Sequence, residues 1–214
     1  MISKLRKYSD RFASVLAVPF VLLKIHPTIV SLLAIPIALC FTFLLWQKMF
    51  VLAFFFGVLA FLVDLVDGSV ARQLKKCSLF GNYIEGIIDK SVDFIVLGSF
   101  VLFFPLAAVL ALGSSFLVSF AKPRVALVVM TDNRHWPGIG ERGDKMALLL
   151  FGLLVSAFFP KAFGFWTMEL VLYLVSAIAI IGLFQRVIYG KKLIEEAKKK
   201  GTILPYLAKD RSAR

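Results

Sequence analysis

Between Ile25 and Gln47 the chain runs for twenty-three residues without one Asp, Glu, Lys or Arg. About 20 such residues are what an α-helix needs to cross the hydrocarbon of a bilayer. Inside lipid, only a helix or a closed barrel satisfies every backbone polar group. Five further segments extend the pattern. One begins near Met49 and runs through Phe61 into Asp64 and Asp67. Two fit between Cys77 and Ala121, with Phe104-Pro105 as the turn, because proline interrupts the helical ladder. A fifth covers Asp144–Phe159 and a sixth Gly164–Tyr189. The whole chain is 60% apolar and only 18% charged, with mean hydropathy +0.87, against about half and a quarter in soluble domains. An ordinary soluble globule is excluded. The expected fold is an all-α integral membrane protein of six transmembrane helices.

The basic, then apolar, N-terminus (MISKLRKYSDRF) predicts an interfacial amphipathic helix over residues 1–23, with Lys4, Lys7 and Arg11 toward headgroups. The transmembrane domain follows over 24–190, and a basic tail over 191–214. Lys and Arg gather at the N-terminus, the 72–76 turn, the 122–145 loop and the tail from Arg186, while the opposite loops carry Lys48 and Lys161. By the positive-inside rule both termini, and the Asp64–Asp67 end of the second span, face the cytoplasm. The same rule accounts for the net charge of +12. Without a soluble module to present that charge, nucleic acid is not an expected partner; anionic membrane lipid is. Cys40 and Cys77 form no disulfide framework.

Five acidic residues, Asp64, Asp67, Glu85, Asp89 and Asp93, lie in or at the membrane, where each carboxylate costs a few kcal/mol on insertion scales. Asp64, Asp67, Gly68, Ala71 and Arg72 fall on one helix face, and Gly81, Glu85, Asp89 and Asp93 follow at steps of four. A short turn joins the two helices, so the stripes are expected to face each other across a cleft. Clustered carboxylates repel, and divalent cations relieve the repulsion. Oxygen-only donors favour Mg²⁺, Mn²⁺ or Ca²⁺ over zinc. Gly68, Ala71 and Gly81 leave room for a nucleotide or phosphate to approach the backbone.

The run Asp64-x2-Asp67-Gly68-x2-Ala71-Arg72-x8-Gly81-x3-Glu85-x3-Asp89 resembles the signature of the CDP-alcohol phosphotransferases, D-x2-D-G-x2-A-R-x8-G-x3-D-x3-D. Every spacing agrees, and Glu85, in place of the third Asp, is the one departure. The resemblance implies that Asp64, Asp67, Glu85 and Asp89 hold two divalent ions, Mg²⁺ or Mn²⁺, and that Asp89 is the general base. It further implies that Asp64, Asp67, Gly68, Ala71, Arg72 and Gly81 form the nucleotide site. The expected substrate is a CDP-linked lipid, CDP-diacylglycerol or CDP-archaeol, and the expected assembly is a homodimer. Asp93 lies outside the signature and is expected to pair with a basic residue of the later loop.

Between spans four and five stand Ser119-Phe120-Ala121-Lys122-Pro123-Arg124 and Gly138-Ile139-Gly140-Glu141-Arg142-Gly143-Asp144-Lys145. Lys122, Arg124 and Arg142 are candidates for binding a phosphorylated acceptor, arginine being suited to bidentate phosphate contacts. These stretches resemble the inositol-phosphate-using branch of the family in bacteria and archaea, which implies inositol phosphate as acceptor, with glycerol phosphate second, and a prokaryotic plasma membrane as the site. A divalent-cation transporter is the competing reading of the carboxylates, although neither inverted repeats nor broken helices are evident.

Overall fold

The computed structural model describes residues 11–130, 136 and 139–202. Lys4, Lys7 and His135, and the tail beyond Thr202, lie outside them. Residues 11–16 are helical and lead into α1 (Val18–Leu22). The helices that follow are α2 (Pro27–Leu32), α3 (Ala34–Trp46), α4 (Phe50–Gln73), α5 (Leu79–Gly98), α6 (Pro105–Ala126), α7 (Arg142–Phe158) and α8 (Thr167–Lys200). Among the described residues, four runs are long and apolar enough to cross a membrane: Pro27–Trp46, α4, α6 and α8. α5, with Glu85, Asp89, Lys90 and Asp93, is too charged to qualify by composition, and α7 has only 17 residues.

Local chemistry sets these boundaries. Pro36 has no N–H to donate to the Leu32 carbonyl, and α2 gives way to α3 at Leu33, one turn earlier. Pro105 opens α6 at a position where a missing N–H costs nothing. α4 ends with Lys75 in the left-handed region (φ 55°), its N–H bonded to the Arg72 carbonyl and the Lys76 N–H to that of Ala71. Such a stop is usually glycine. Ser78 then caps α5, its hydroxyl accepting from the Gly81 N–H at 2.9 Å.

The core is one cluster around Phe41, Leu45, Leu97, Phe100, Leu149 and Leu172, with Phe41 and Phe100 packed edge to face. α6 lies most extensively along α8, and α3 along α4. The α6 face is built of small residues (Ala107, Ala108, Ala111, Ser114, Ser115), and Ser114 and Ser176 share a hydrogen bond of 3.3 Å across it. Helices in lipid associate through such close, small-residue seams. By contrast α4 and α5, consecutive in sequence, touch only sparsely.

The architecture is all-helical, as expected, with one small hairpin beside the helices: β1 (Lys161–Ala162) and β2 (Phe165–Trp166) pair antiparallel, because Phe163 and Gly164, with φ 52° and 84°, make the tight turn that matches strand twist. α8 continues unbroken to Lys200. At the other end Ala13 and Ala17 are buried while Arg11 and Phe12 are exposed, and Gln73 Nε2 donates to the Ser14 carbonyl at 3.1 Å.

Candidate functional site

The signature residues lie on α4 and α5, two helices that touch only sparsely. Asp67 is 3% exposed. A bare carboxylate at that depth would be costly, and here it is satisfied twice: the Ser31 hydroxyl of α2 donates to Oδ2 at 2.6 Å, and the Gly68 N–H donates to Oδ1 at 2.6 Å. Asp67, Gly68, Ala71, Arg72, Gly81 and Glu85 line one cavity of about 260 Å³, closed on the α2 side by His26, Thr28 and Ser31. A side chain at Gly81 would press on the Ser78 cap at 2.9 Å, while Gly68 opens toward Arg72. Of the expected nucleotide-site residues, Asp67, Gly68, Ala71, Arg72 and Gly81 are thus brought together, while Asp64 is turned to Arg142 beside the cavity. Glu85 is within electrostatic reach of Asp64, Arg72 and Arg142.

Beside this cavity, one turn deeper, Arg142 enters the carboxylates from the first residue of α7. Its Nη1 lies 2.5 Å from Asp64 Oδ1 and 2.9 Å from Asp89 Oδ1. Those two are ion-pair contacts off the hydrogen-bonding angle, since Nη1 has no aligned acceptor. Nε is aligned, donating to Asp93 Oδ1 at 2.8 Å. Asp93, buried and outside the signature, pairs with a base of the later loop as expected. Its second oxygen takes the Lys90 ammonium at 3.1 Å, which also reaches the Ser119 hydroxyl at 3.0 Å.

The loop before α7 is clamped so that Arg142 arrives there. Gly140 has φ 83°, and a Cβ on it would stand 2.8 Å from the Ile178 carbonyl oxygen of α8. A Cβ on Gly182 would overlap the Ile139 carbonyl oxygen outright. The Ile139 N–H donates to Gln185 Oε1 at 3.2 Å. Both glycines permit backbone-to-backbone approach that no other residue allows.

The acceptor candidates separate. Arg124 is exposed on the last turn of α6. Lys122 lies near Arg186 and Glu141, whereas Arg142 sits among the acids. Two bases not singled out from sequence join them. Lys145, 4% exposed, neighbours Asp93, Lys90, Arg186 and Arg142. Arg186, 9% exposed, donates from Nη1 to the Val118 carbonyl at 2.6 Å, leaving its buried Nε without a partner. Buried cations in such number suit an anion.

The donor set of Asp64, Asp67, Glu85 and Asp89 is all oxygen and in charge excess over Arg142 and Lys90, which is the chemistry a hard divalent ion requires. As placed, no three acidic, His or Cys side chains among the described residues form a ready ligand cage. Asp64 and Asp89 are turned to Arg142, and Asp67 to Ser31.

Residues 24–185 match the family model described as CDP-alcohol phosphatidyltransferase. Among curated proteins, an uncharacterized protein of Aquifex aeolicus is 26% identical over 200 residues, covering 90% of this chain and 95% of that one. The archaetidylinositol phosphate synthase of Pyrococcus horikoshii is 29% identical over 138 residues (62% and 66%). The phosphatidylinositol phosphate synthase of Streptomyces avermitilis is 26% identical over 166 residues (67% and 64%). The chain thus spans just under two thirds of the length of these named synthases. Of solved structures, Mycobacterium tuberculosis phosphatidylinositol phosphate synthase with CDP-DAG bound superposes with TM-score 0.69 at 21% identity, over 83% of this chain and 92% of that one. The same synthase with manganese and citrate gives TM-score 0.67 at 19% identity, over 83% and 88%. At these identities the likeness is one of fold.

Proposed function

Because the chain belongs to the CDP-alcohol phosphatidyltransferase family, a family of multi-pass membrane proteins, we propose that it transfers the phosphatidyl-type group of a CDP-linked lipid to a hydroxyl of a polar acceptor, releasing CMP. The observation that carries this reading is the opening of the signature residues of α4 and α5 onto one cavity, with Asp64 and Asp89 drawn to a single guanidinium beside it. Cation transport accounts for the acids but not for the small-walled cavity at Gly68, Ala71 and Gly81.

In this reading Asp64, Asp67, Glu85 and Asp89 hold Mg²⁺ or Mn²⁺, two ions in all. Such ions, when bound, neutralise the diphosphate and the charge that develops on CMP. Arg72 and the open backbone at Gly68 and Gly81 seat the nucleotide. Asp89, 27% exposed at its side chain, accepts the proton of the acceptor hydroxyl. That oxygen forms the new bond to the lipid-side phosphorus, the bond from this phosphorus to the bridging oxygen breaks, and CMP leaves with the electron pair.

Lys122, Lys145 and Arg186 give the acceptor side three positive charges, which suits a phosphorylated polyol better than a neutral alcohol. Inositol phosphate is favoured, since relatives bearing the name of inositol-phosphate-lipid synthases support it; glycerol phosphate is second. The same proposal has α5 and α7 completing six spans. At about 1.5 Å per residue they measure roughly 30 and 26 Å, and Asp89 and Asp93 of α5 turn to Arg142. Both termini and the carboxylates then lie on the cytoplasmic side of a prokaryotic plasma membrane, in a homodimer.

The test is CMP release by purified protein with CDP-diacylglycerol or CDP-archaeol, Mg²⁺ or Mn²⁺, and inositol phosphate, glycerol phosphate, inositol or serine in turn. Acceptor-dependent release identifies the reaction and its acceptor. Absence of release with every pair, together with no metal-dependent CMP binding, refutes it.

A further inference from the structure

Arg142 stands where the transferase reading puts a metal. Its Nη1 is 2.5 Å from Asp64 Oδ1 and 2.9 Å from Asp89 Oδ1. A Mg²⁺ ion sits about 2.0–2.1 Å from its oxygen ligands, so an ion shared by those two oxygens and a guanidinium nitrogen at those distances would occupy one volume. They would also repel as like charges. We propose that Arg142 is the built-in counter-cation of this cluster and competes with divalent metal for Asp64 and Asp89, so that loading a metal there displaces its Nη1. The inference rests on the reading that these carboxylates take divalent ions.

Three observations make Arg142 a side chain that swings rather than one that leaves. Its backbone is fixed, because Gly140 and Gly182 clamp the preceding loop to α8. Its Nε is held independently by Asp93, a carboxylate outside the signature, at 2.8 Å. Asp93 is in turn fixed by Lys90, which also holds Ser119, so the pivot does not depend on Asp64 or Asp89. A guanidinium turning about that pivot keeps its buried partner while exchanging the two at its far end. Lys145 has both Arg142 and Arg186 as electrostatic neighbours, and an Arg142 released toward them adds its charge to the acceptor site. Metal loading and acceptor readiness thereby become one event.

The experiment measures Mn²⁺ binding to the full chain in lipid nanodiscs without CDP-lipid, reading free Mn²⁺ by electron paramagnetic resonance. A charge-assisted contact is worth about one factor of ten in affinity. Arg142→Gln is therefore expected to bind Mn²⁺ roughly 10-fold or more tightly than the wild type. Arg142→Lys keeps the charge but cannot reach two carboxylates and Asp93 at once, and is expected to bind about 2- to 5-fold more tightly. If the Gln variant does not fold, the Lys variant decides. Unchanged or weaker Mn²⁺ binding in these variants overturns the competition and leaves the transferase reading standing. No Mn²⁺ binding by wild type or variants, with or without CDP-lipid, sinks the metal reading as well.

Discussion

Gly182 tests whether the α7 loop is aimed by backbone contact. A methyl group at this position would overlap the Ile139 carbonyl oxygen. That oxygen is part of a backbone clamp rather than the end of a flexible side chain. Ordinary C···O contact is about 3.3–3.6 Å, so the carbonyl, three residues before Arg142, must retreat by about 1 Å or more. Overpacking of this kind costs about 1–3 kcal/mol, and a displacement of about 1 Å in a positioned group costs up to roughly 100-fold in rate. Gly182→Ala is therefore expected to lower the unfolding midpoint in detergent and to reduce kcat/KM by 10- to 100-fold, in scale with that displacement. Gly152→Ala is the control. Its methyl would overlap the Val171 side chain, an apolar seam of α7 and α8 away from the acids. It should cost comparable stability and keep most of the activity. Wild-type kcat/KM in Gly182→Ala, or an equal loss of activity in Gly152→Ala, would refute the clamp.

Asp89→Asn should abolish CMP release while CDP-lipid binding, measured by ligand titration, stays largely intact; loss of binding instead would remove Asp89 from the role of base. Glu85→Asp should retain activity and Glu85→Ala should lose it, and an active alanine variant would end the assignment of Glu85 as a ligand. Lys145→Met and Arg186→Met should each raise the acceptor KM about 10-fold, the worth of one charged contact, with the CDP-lipid KM less affected. Equal effects on both KM values would make these bases structural.

The acids were legible in the sequence because of their cost: a carboxylate in an apolar span has few reasons to exist, and a spacing of three and four puts it on one face. The spans were legible where nothing charged interrupted them, and the Phe104-Pro105 turn where proline forced it. Ser31 was not, because one hydroxyl in an apolar run carries no sign of the carboxylate 36 positions away that it serves. Arg186 read as one more cytoplasmic base, since counting positive charge by loop says nothing about a side chain that folds back to the Val118 carbonyl. For Arg142 the loop position points only to the acceptor. Its place between Asp64 and Asp89 depends on how α7 approaches α4 and α5, a tertiary fact with no local signature. The Phe163-Gly164 hairpin carries no distinct sequence signal, because its apolar flanks read as span ends.

α8 runs 34 residues without a break and closes at Gly201, in the left-handed conformation at φ 68°. At 1.5 Å per residue it measures about 50 Å, some 20 Å more than the hydrocarbon it crosses. The surplus is a mast, mechanically continuous with the turn that carries Arg186. A spin label at Lys198 would ride that mast, and a second at Gln73 would mark the foot of α4. The distance between them would then report movement of the acceptor bases relative to the acids, with neither probe touching the site.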